Sequence, residues 1–353
     1  MFEYFVNKKR FMQINSINFR FRQLSPLFDD RIKCNEVVFP RPKRINGTER
    51  GIFMFDIFNE KLKIAILGGD KRQVVISNCF IRCGCEVRAF ALSDVAQIVG
   101  RAEICMTAEK AMENADIVIL PLPVTRDNLH LNAQCGKVLL TDIVRLAEKN
   151  SSYLFGGMIP HEMIDICEKL GVEITDYYKS EGLQRKNALP SAEGALMIAM
   201  EHTDITVRGM RALVTGYGRI GTCLSQILQR LGADVTVAAR RDESLCEASL
   251  MGYKVLRLDS DGGKLGGSLN DFDVIFNTVP YIIFSEKVLK ECQSKPLYIE
   301  IASSPGGIDI PTARKIGIET VFAPSMPGKY APVSAGEYVF ETISDTILKR
   351  RKQ

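Results

Sequence analysis

The sequence predicts an α/β fold of two doubly wound parallel-sheet domains with a cleft between them. Three observations predict it. Short apolar runs of strand length recur along the chain with helix-like stretches between them, the pattern of βαβ units around a sheet buried on both faces. The alternation breaks once, over YYKSEGLQRKNALP at 177–190, and then resumes. The second half opens on LVTGYGRIG at 213–221, with Gly216, Gly218 and Gly221 at G-x-G-x-x-G spacing, the turn of a Rossmann-like unit.

A length of 353 residues suits two domains. Apolar residues make up 46% and charged residues 25%, a globular balance; with no Trp, the cores fall to Phe, Ile, Leu, Val and Met. The net charge of +4 is local. Residues 1–53 carry 11 Lys and Arg against 5 Asp and Glu, so the rest of the chain sums to −2. A near-neutral body argues against a nucleic-acid surface. No run approaches the ~18–20 apolar residues of a membrane span.

Residues 1–53 have no sustained period and contain the loop-like PRPKRINGTERG. The start lacks the continuous apolar core and small-residue cleavage site of a signal peptide. Three readings compete: a disordered basic arm, an amphipathic anchor, or upstream sequence joined by a misplaced start, with Met54 as the first residue. The third is favoured, because the first clean strand begins at Leu62. Of ten cysteines, Cys79, Cys83 and Cys85 cluster without a second pair at zinc spacing; they read as reduced thiols of a cytoplasmic protein. His130, His161 and His202 stand at no metal-ligand spacing, so no metal site is expected.

The first domain spans 54–190. Its strands read LKIAIL (62–67), EVRAF (86–90), DIVIL (116–120), KVLL (137–140), YLFG (153–156) and VEIT (172–175). The polar stretch 177–190 ends in a proline and reads as the crossing between domains. Ser191 then looks like the N-cap of a helix over Ala192–His202. The second domain spans 191–333, with strands RALVT (211–215), DVTVA (234–238), YKVLRL (253–258), DVIFN (273–277), LYIEIA (297–302) and ETVFA (319–323). Residues 334–353 hold a last helix, Ala335–Lys349, which returns to the first domain.

An apolar strand precedes the glycine motif and a helix, Arg219–Leu231, follows it. In that setting Gly216 permits the tight turn, Gly218 lets a pyrophosphate approach the backbone and Gly221 lets the helix pack on the strand. The loop Gly216, Tyr217, Gly218, Arg219, Ile220 and Gly221 is the expected phosphate site, with the helix N-terminus offering free N–H groups. NAD-binding folds place an acid at the end of the next strand. Here the chain reads VTVAARRD, with Ala239 at that position and Arg240 and Arg241 after it. Two guanidiniums suit a 2′-phosphate, so NADP is preferred to NAD; the alternative is a solvated helix start. Asn277, Thr278, Val279 and Pro280, and the loop with Ser303 and Gly306, end later strands and are expected beside the nicotinamide half.

In the first domain, GGDKRQ (68–73) lacks the third glycine and reads as a carboxylate site carrying Arg72 and Gln73, or as a plain βα turn. Thr125 and Arg126, after another strand, point to the same cleft. Ser191 and Glu193, at the start of the junction helix, join them as candidate substrate contacts. His202 and Thr203 are the candidate proton-transfer residues, although a His at a helix C-terminus is often only dipole-stabilised. Neither G-x-S-x-G nor paired catalytic carboxylates stand out, which argues against a hydrolase.

GGDKRQ, LPSAEGALMIAMEHTD, GYGRIG, NTVP, SSPGGID and APSMPGKYAPVSAG occur in that order. Together they resemble the A subunit of bacterial dipicolinate synthase, from about residue 62 to 349. The glycine motif is generic; the PSAEG–EHTD block and the PGG and MPGKYAP loops are more specific in combination. The resemblance implies a sporulation enzyme of the mother-cell cytoplasm. With a flavoprotein-like B subunit, it would dehydrogenate dihydrodipicolinate, or its hydroxy-tetrahydro precursor, to dipicolinate. A dianionic substrate needs cations, and Arg72 and Arg126 are the candidates. The resemblance assigns no base, and assembly into a homo-oligomer stays open. NTVP and AARR also look like shikimate dehydrogenase, but the Lys and Asp pair of that family is not found. A cofactor-binding regulatory or scaffold subunit without chemistry of its own is the alternative from another class.

Overall fold

The computed structural model describes residues 61–351, apart from positions 99, 101, 135 and 260–264. The readings of residues 1–53 lie outside the described residues. Among the described residues, no helix is long and apolar enough to cross a membrane.

The first sheet has six parallel strands, β1 (Lys63–Leu67), β2 (Glu86–Phe90), β3 (Ala102–Cys105), β4 (Ile117–Ile119), β5 (Tyr153–Gly156) and β6 (Ile174–Asp176), in the order β3-β2-β1-β4-β5-β6. Helices α1 (Lys71–Arg82), α2 (Ala108–Met112), α3 (Leu140–Asn150) and α4 (His161–Leu170) connect them. The central β1 buries Ile64, Ala65, Ile66 and Leu67. Its side chains split between two cores, Ile64 and Ile66 in one and Ala65 and Leu67 in the other. A sheet covered on both faces needs that unbroken apolar run. Asp70 caps α1 by accepting the Arg72 backbone N–H at 3.0 Å.

The second sheet repeats the topology. Strands β7 (Arg211–Thr215), β8 (Asp234–Ala239), β9 (Lys254–Arg257), β10 (Val274–Asn277), β11 (Leu297–Glu300) and β12 (Thr320–Phe322) are again parallel, in the order β12-β11-β10-β7-β8-β9. Between the sheets runs α5 (Glu181–His202); within the second domain lie α6 (Arg219–Arg230), α7 (Asp242–Leu250), α8 (Glu286–Lys290) and α9 (Ile310–Ile316). The chain ends with α10 (Met326–Tyr330) and α11 (Pro332–Arg351). In both sheets the strand order reverses beside the first strand, at β1/β4 and β7/β10. The carboxyl ends at such reversals are where open α/β sheets bind ligands.

Three elements differ from the sequence expectation. Residues 177–190 are not an irregular crossing: α5 starts at Ser180, whose hydroxyl accepts the Leu183 N–H, and runs through Pro190 to His202. Pro190 removes one helical hydrogen bond and crowds the preceding turn, a cost of about 3 kcal/mol. Burial offsets it, because half of this 22-residue helix is buried, on several faces at once. Ser191 is therefore interior, and its hydroxyl donates to the Asn187 carbonyl at 2.8 Å. KVLL forms no strand; Leu140 opens α3. A four-residue edge strand, β3, takes its place in the sheet. Only its Cys105 is fully buried, so it carries no apolar run.

Helix α11 packs on α1 and supplies Val339, Phe340, Ile343 and Ile347 to the first domain's core. Phe340 meets Phe80 edge to face at 4.8 Å. Gly336 allows the close approach, since a Cβ there would lie 2.7 Å from Val75 and 2.9 Å from the Arg72 carbonyl. Truncating this contact is expected to destabilise the whole protein: Phe340→Ala should cost about 3–5 kcal/mol in urea unfolding. A loss below ~1 kcal/mol would mean that α11 is a detachable tail.

Candidate functional site

The two reversal points open onto one cleft of about 860 Å³, lined by loops at the carboxyl ends of both sheets and by α5 and α10. The second-domain wall is built around the glycine turn. Gly216 sits at φ +87°, a left-handed conformation, and a Cβ there would strike the Thr278 hydroxyl. A Cβ on Gly221 would run into the Gly216 carbonyl oxygen, whereas one on Gly218 would project into open space. The turn thus closes tightly on itself while leaving room above Gly218, at the N-terminus of α6, for a phosphate-sized group. Tyr217 is buried against Tyr253, ring centroids 6.2 Å apart. Arg219 pairs with Glu181 at 3.3 Å and hydrogen-bonds Gln184, both on α5. Ile220 lines the cleft.

Asn277 does not line the cleft. It is fully buried, and its amide ties three strand ends together. Its Oδ1 accepts the Thr215 hydroxyl at 2.5 Å and the Val279 N–H at 3.1 Å; its Nδ2 donates to Glu300 Oε1 at 2.7 Å and the Val279 carbonyl at 2.9 Å. Thr278 donates to the Thr215 carbonyl at 2.7 Å. Thr278 and Pro280 line the cleft, as do Ser303 and Gly306.

Glu300 lies outside the residues that the sequence motifs single out. It ends β11, is 3% exposed, and accepts four hydrogen bonds. Oε1 takes Asn277 and the Ala302 N–H at 3.1 Å; Oε2 takes the Tyr298 hydroxyl at 2.9 Å and the Gly307 N–H at 2.7 Å. No ion pair to it is found among the described residues. Burial, reinforced by the neighbouring carboxylate, pushes the Tyr298 hydroxyl well above its ordinary pKa, so it stays a donor. The sequence signal for Glu300 is LYIE before SSPGG, an acid at a strand end with no charged partner nearby in sequence.

On the first-domain wall, Arg72 lines the cleft but is not a free cation. Its Nε reaches Asp70 at 2.9 Å, and its Nη2 reaches Asp70 at 2.7 Å and the Leu122 carbonyl at 2.5 Å. Burial opposes the charge, but the Asp70 carboxylate more than offsets it, and the Arg72 pKa is raised. Gln73 is buried beneath, with Nε2 3.5 Å from the Leu67 and Ile119 carbonyls. Thr125 is buried and donates to Asp127 at 3.1 Å, and Arg126 is exposed; neither lines the cleft. Glu193 is exposed and also off the cleft, while Ser191 lines it.

His202 and Thr203 are not brought to this site. His202 ends α5 with Nδ1 2.6 Å from Glu319, which precedes β12, so it lies at the amino edge of the sheet, opposite the glycine turn. The Thr203 hydroxyl donates to the Ala199 carbonyl at 2.7 Å. Both groups close a helix end. Sequence order places them after the PSAEG block; the helix length carries them across the domain. Arg240 and Arg241 follow β8 as exposed side chains, beyond the cleft itself. Arg257, at the end of β9, donates to the Arg240 carbonyl at 3.1 Å and pairs with Asp242. Ala239 is buried at the strand end.

Two Rossmann-like domains sharing a cleft at their strand-reversal points define a protein of dehydrogenase-like architecture. Within that class the chain is similar in sequence to the A subunit of dipicolinate synthase. Residues 63–178 match the model of the N-terminal domain of the dipicolinate synthase A subunit. The dipicolinate synthase A subunit of Bacillus subtilis (strain 168) is 28% identical over 82% of this chain and 96% of its own length. Its crystal structure superposes with a TM-score of 0.73, at 27% identity, over 83% of this chain and 98% of that one. The corresponding structure from Bacillus halodurans gives 0.69 at 26%, covering 82% and 97%. A transhydrogenase from Sinorhizobium meliloti shares the fold alone, with a TM-score of 0.57 at 14% identity over 79% of this chain and 88% of that one. The resemblance to the dipicolinate synthase A subunit that the motifs carry holds across both domains.

The glycine contacts predict a contrast. Gly221→Ala should lower the thermal midpoint by several degrees, a loss of about 1–3 kcal/mol through overpacking. Gly218→Ala should leave it within about a degree. Similar melting of the two variants would contradict this packing. Glu300→Ala, which leaves buried donors on Asn277, Tyr298 and Gly307 unpaired, should cost at least ~2 kcal/mol in chemical unfolding; a neutral effect would show that the network carries no stability.

Proposed function

We propose that this chain is an NADP-dependent dehydrogenase that converts dihydrodipicolinate, or its hydroxy-tetrahydro precursor, to dipicolinate, working with a flavoprotein-like partner in a sporulating mother cell. The observation that carries the reading is the glycine turn at the edge of a cleft that its Ile220 and Arg72 both line. A dinucleotide whose pyrophosphate rests on Gly216–Gly221 would extend past Thr278 and Pro280 toward Ser303 and Gly306. The family likeness supplies the substrate class.

The bound nicotinamide would supply the hydride acceptor. The chain's own residues bind, orient and exclude water. From dihydrodipicolinate one hydride and one proton leave, the hydride from a ring carbon and the proton to solvent, and aromaticity favours the product. Such a step calls chiefly for positioning. Glu300 and Asn277 are positioning residues: they hold the NTVP and SSPGG loops in register, and their own polar atoms are consumed in doing so.

The NADP preference rests on Ala239, where an acid would repel a 2′-phosphate, and on Arg240 and Arg241 beside it. Asp242 is paired with Arg257, and among the described residues no ion pair engages Arg240 or Arg241, which leaves both guanidiniums for a phosphate. The test combines the chain with its flavoprotein-like partner, generates the dihydro intermediate in place, and follows reduced cofactor and dipicolinate together. Dipicolinate should form with NADP. Arg240→Ala combined with Arg241→Ala should raise the KM for NADP at least tenfold and leave that for NAD within about twofold. Product with NAD alone would reverse the cofactor preference, and no product with either would remove the enzyme reading.

A further inference from the structure

The cleft wall facing the glycine turn contains a polar group without a partner. Helix α5 presents Gln184, Asn187, Ala188 and Ser191 to the cleft, at i, i+3, i+4 and i+7, which share one helical face. Asn187 is only 6% exposed, yet among the described residues its Nδ2 donates to none and its Oδ1 accepts from none. Buried polar groups are normally paired, and leaving one unmade is costly. Its helical neighbours cannot help. Ser191 donates to the Asn187 carbonyl. Gln184 donates to the Tyr178 carbonyl at 2.8 Å and accepts from Arg219.

Two other donors face the same cleft from the first domain. Arg72 uses Nε and Nη2 for Asp70 and Leu122, which leaves Nη1. The Tyr178 hydroxyl takes part in no hydrogen bond among the described residues, and Tyr178 lines the cleft together with Arg72. A guanidinium N–H, a phenol O–H and an amide N–H are all donors to a carboxylate; on Asn187 the group that meets it is Nδ2, since Oδ1 is itself an acceptor. The nearby acids are already engaged: Asp70 is bound to Arg72, Asp176 accepts the Tyr178 backbone N–H at 2.9 Å, and Glu300 is held by its four donors.

We infer that Arg72, Tyr178 and Asn187 form a carboxylate-binding subsite that orients an acid-bearing substrate against the nicotinamide edge of the cleft. The assignment rests on the dehydrogenase reading above and adds to it a specificity residue, Asn187, that no sequence motif marks. Asp70 offsets the guanidinium charge, so recognition here is by hydrogen-bond geometry more than by net charge, and affinity should depend only weakly on salt.

The test is calorimetric titration of the full chain, saturated with whichever of NADPH or NADH it binds, using pyridine-2,6-dicarboxylate, pyridine-2-carboxylate and pyruvate as probes. Asn187→Ala should weaken pyridine-2,6-dicarboxylate about tenfold, the effect of one hydrogen bond to a charged group. Asn187→Asp should weaken it at least about 100-fold at neutral pH, because carboxylate then meets carboxylate, and this extra loss should shrink as the pH approaches the ordinary carboxylate range. Cofactor affinity should stay within about twofold in both. If the Asn187 variants also lose the cofactor, Tyr178→Phe, which deletes a single oxygen, decides: weaker carboxylate binding with cofactor binding retained supports the subsite, and unchanged binding overturns it. Equal carboxylate affinity in wild type and the Asn187 variants overturns it as well. Binding of pyruvate but of neither pyridine carboxylate, weakened by Asn187→Asp, would keep the subsite and sink the dipicolinate reading. Failure of the wild type to bind any of the three would overturn the subsite.

Discussion

A buried carboxylate with no ion-pair partner among the described residues holds the working edge of the second domain. Glu300 gathers Asn277, Tyr298, Ala302 and Gly307 around two oxygens. Asn277 passes the connection to Thr215, the residue before the glycine turn. The ends of β7, β10 and β11 are thereby one hydrogen-bonded unit. A low-dielectric setting strengthens each of these bonds and makes each omission costly. The glycine turn, the NTVP loop and the SSPGG loop meet at this anchor, so the shape of the second-domain wall of the cleft depends on this chain of contacts.

The opposite wall depends on a helix that local rules would have broken. Pro190 sits inside α5 because the helix is buried between two domains, where tertiary packing outweighs a missing backbone bond. Glycine makes the packing close: a Cβ on Gly194 would meet Tyr330 and Met326, and one on Gly328 would meet Asp70 and Arg72. Helix α10 is thereby wedged against both α5 and the Arg72–Asp70 pair. The first-domain cation, the junction helix and the second-domain loops accordingly meet as one surface.

The two walls differ in how they satisfy their polar groups. On the second-domain side, Asn277 and Glu300 are saturated internally and act by holding backbone. On the α5 side, among the described residues, the buried Asn187 side-chain amide has no partner and the Tyr178 hydroxyl makes no hydrogen bond. A saturated amide rigidifies a scaffold, whereas an unsaturated one at a cleft is poised to bond to what enters it.

Period and turn chemistry determined much of this protein by sequence alone. The apolar runs at 62–67 and 211–215 are long enough, and uniform enough, to be central strands of parallel sheets, and G-x-G-x-x-G after the second fits one backbone geometry. Those signals are local: each depends on a few adjacent residues. The roles of Asn187, Glu300 and His202 were decided by tertiary structure. Asn187 lies in a stretch that reads as linker because Pro190 ends it. Glu300 is meaningful only once Asn277, 23 residues away, is beside it. His202 looks catalytic by its place after a motif, but a helix rises ~1.5 Å per residue, and α5 is long enough to deliver its last residue to the far edge of the sheet. What a side chain can reach is set by where its element ends, and packing of the two domains around α5, not the order of residues, settles that.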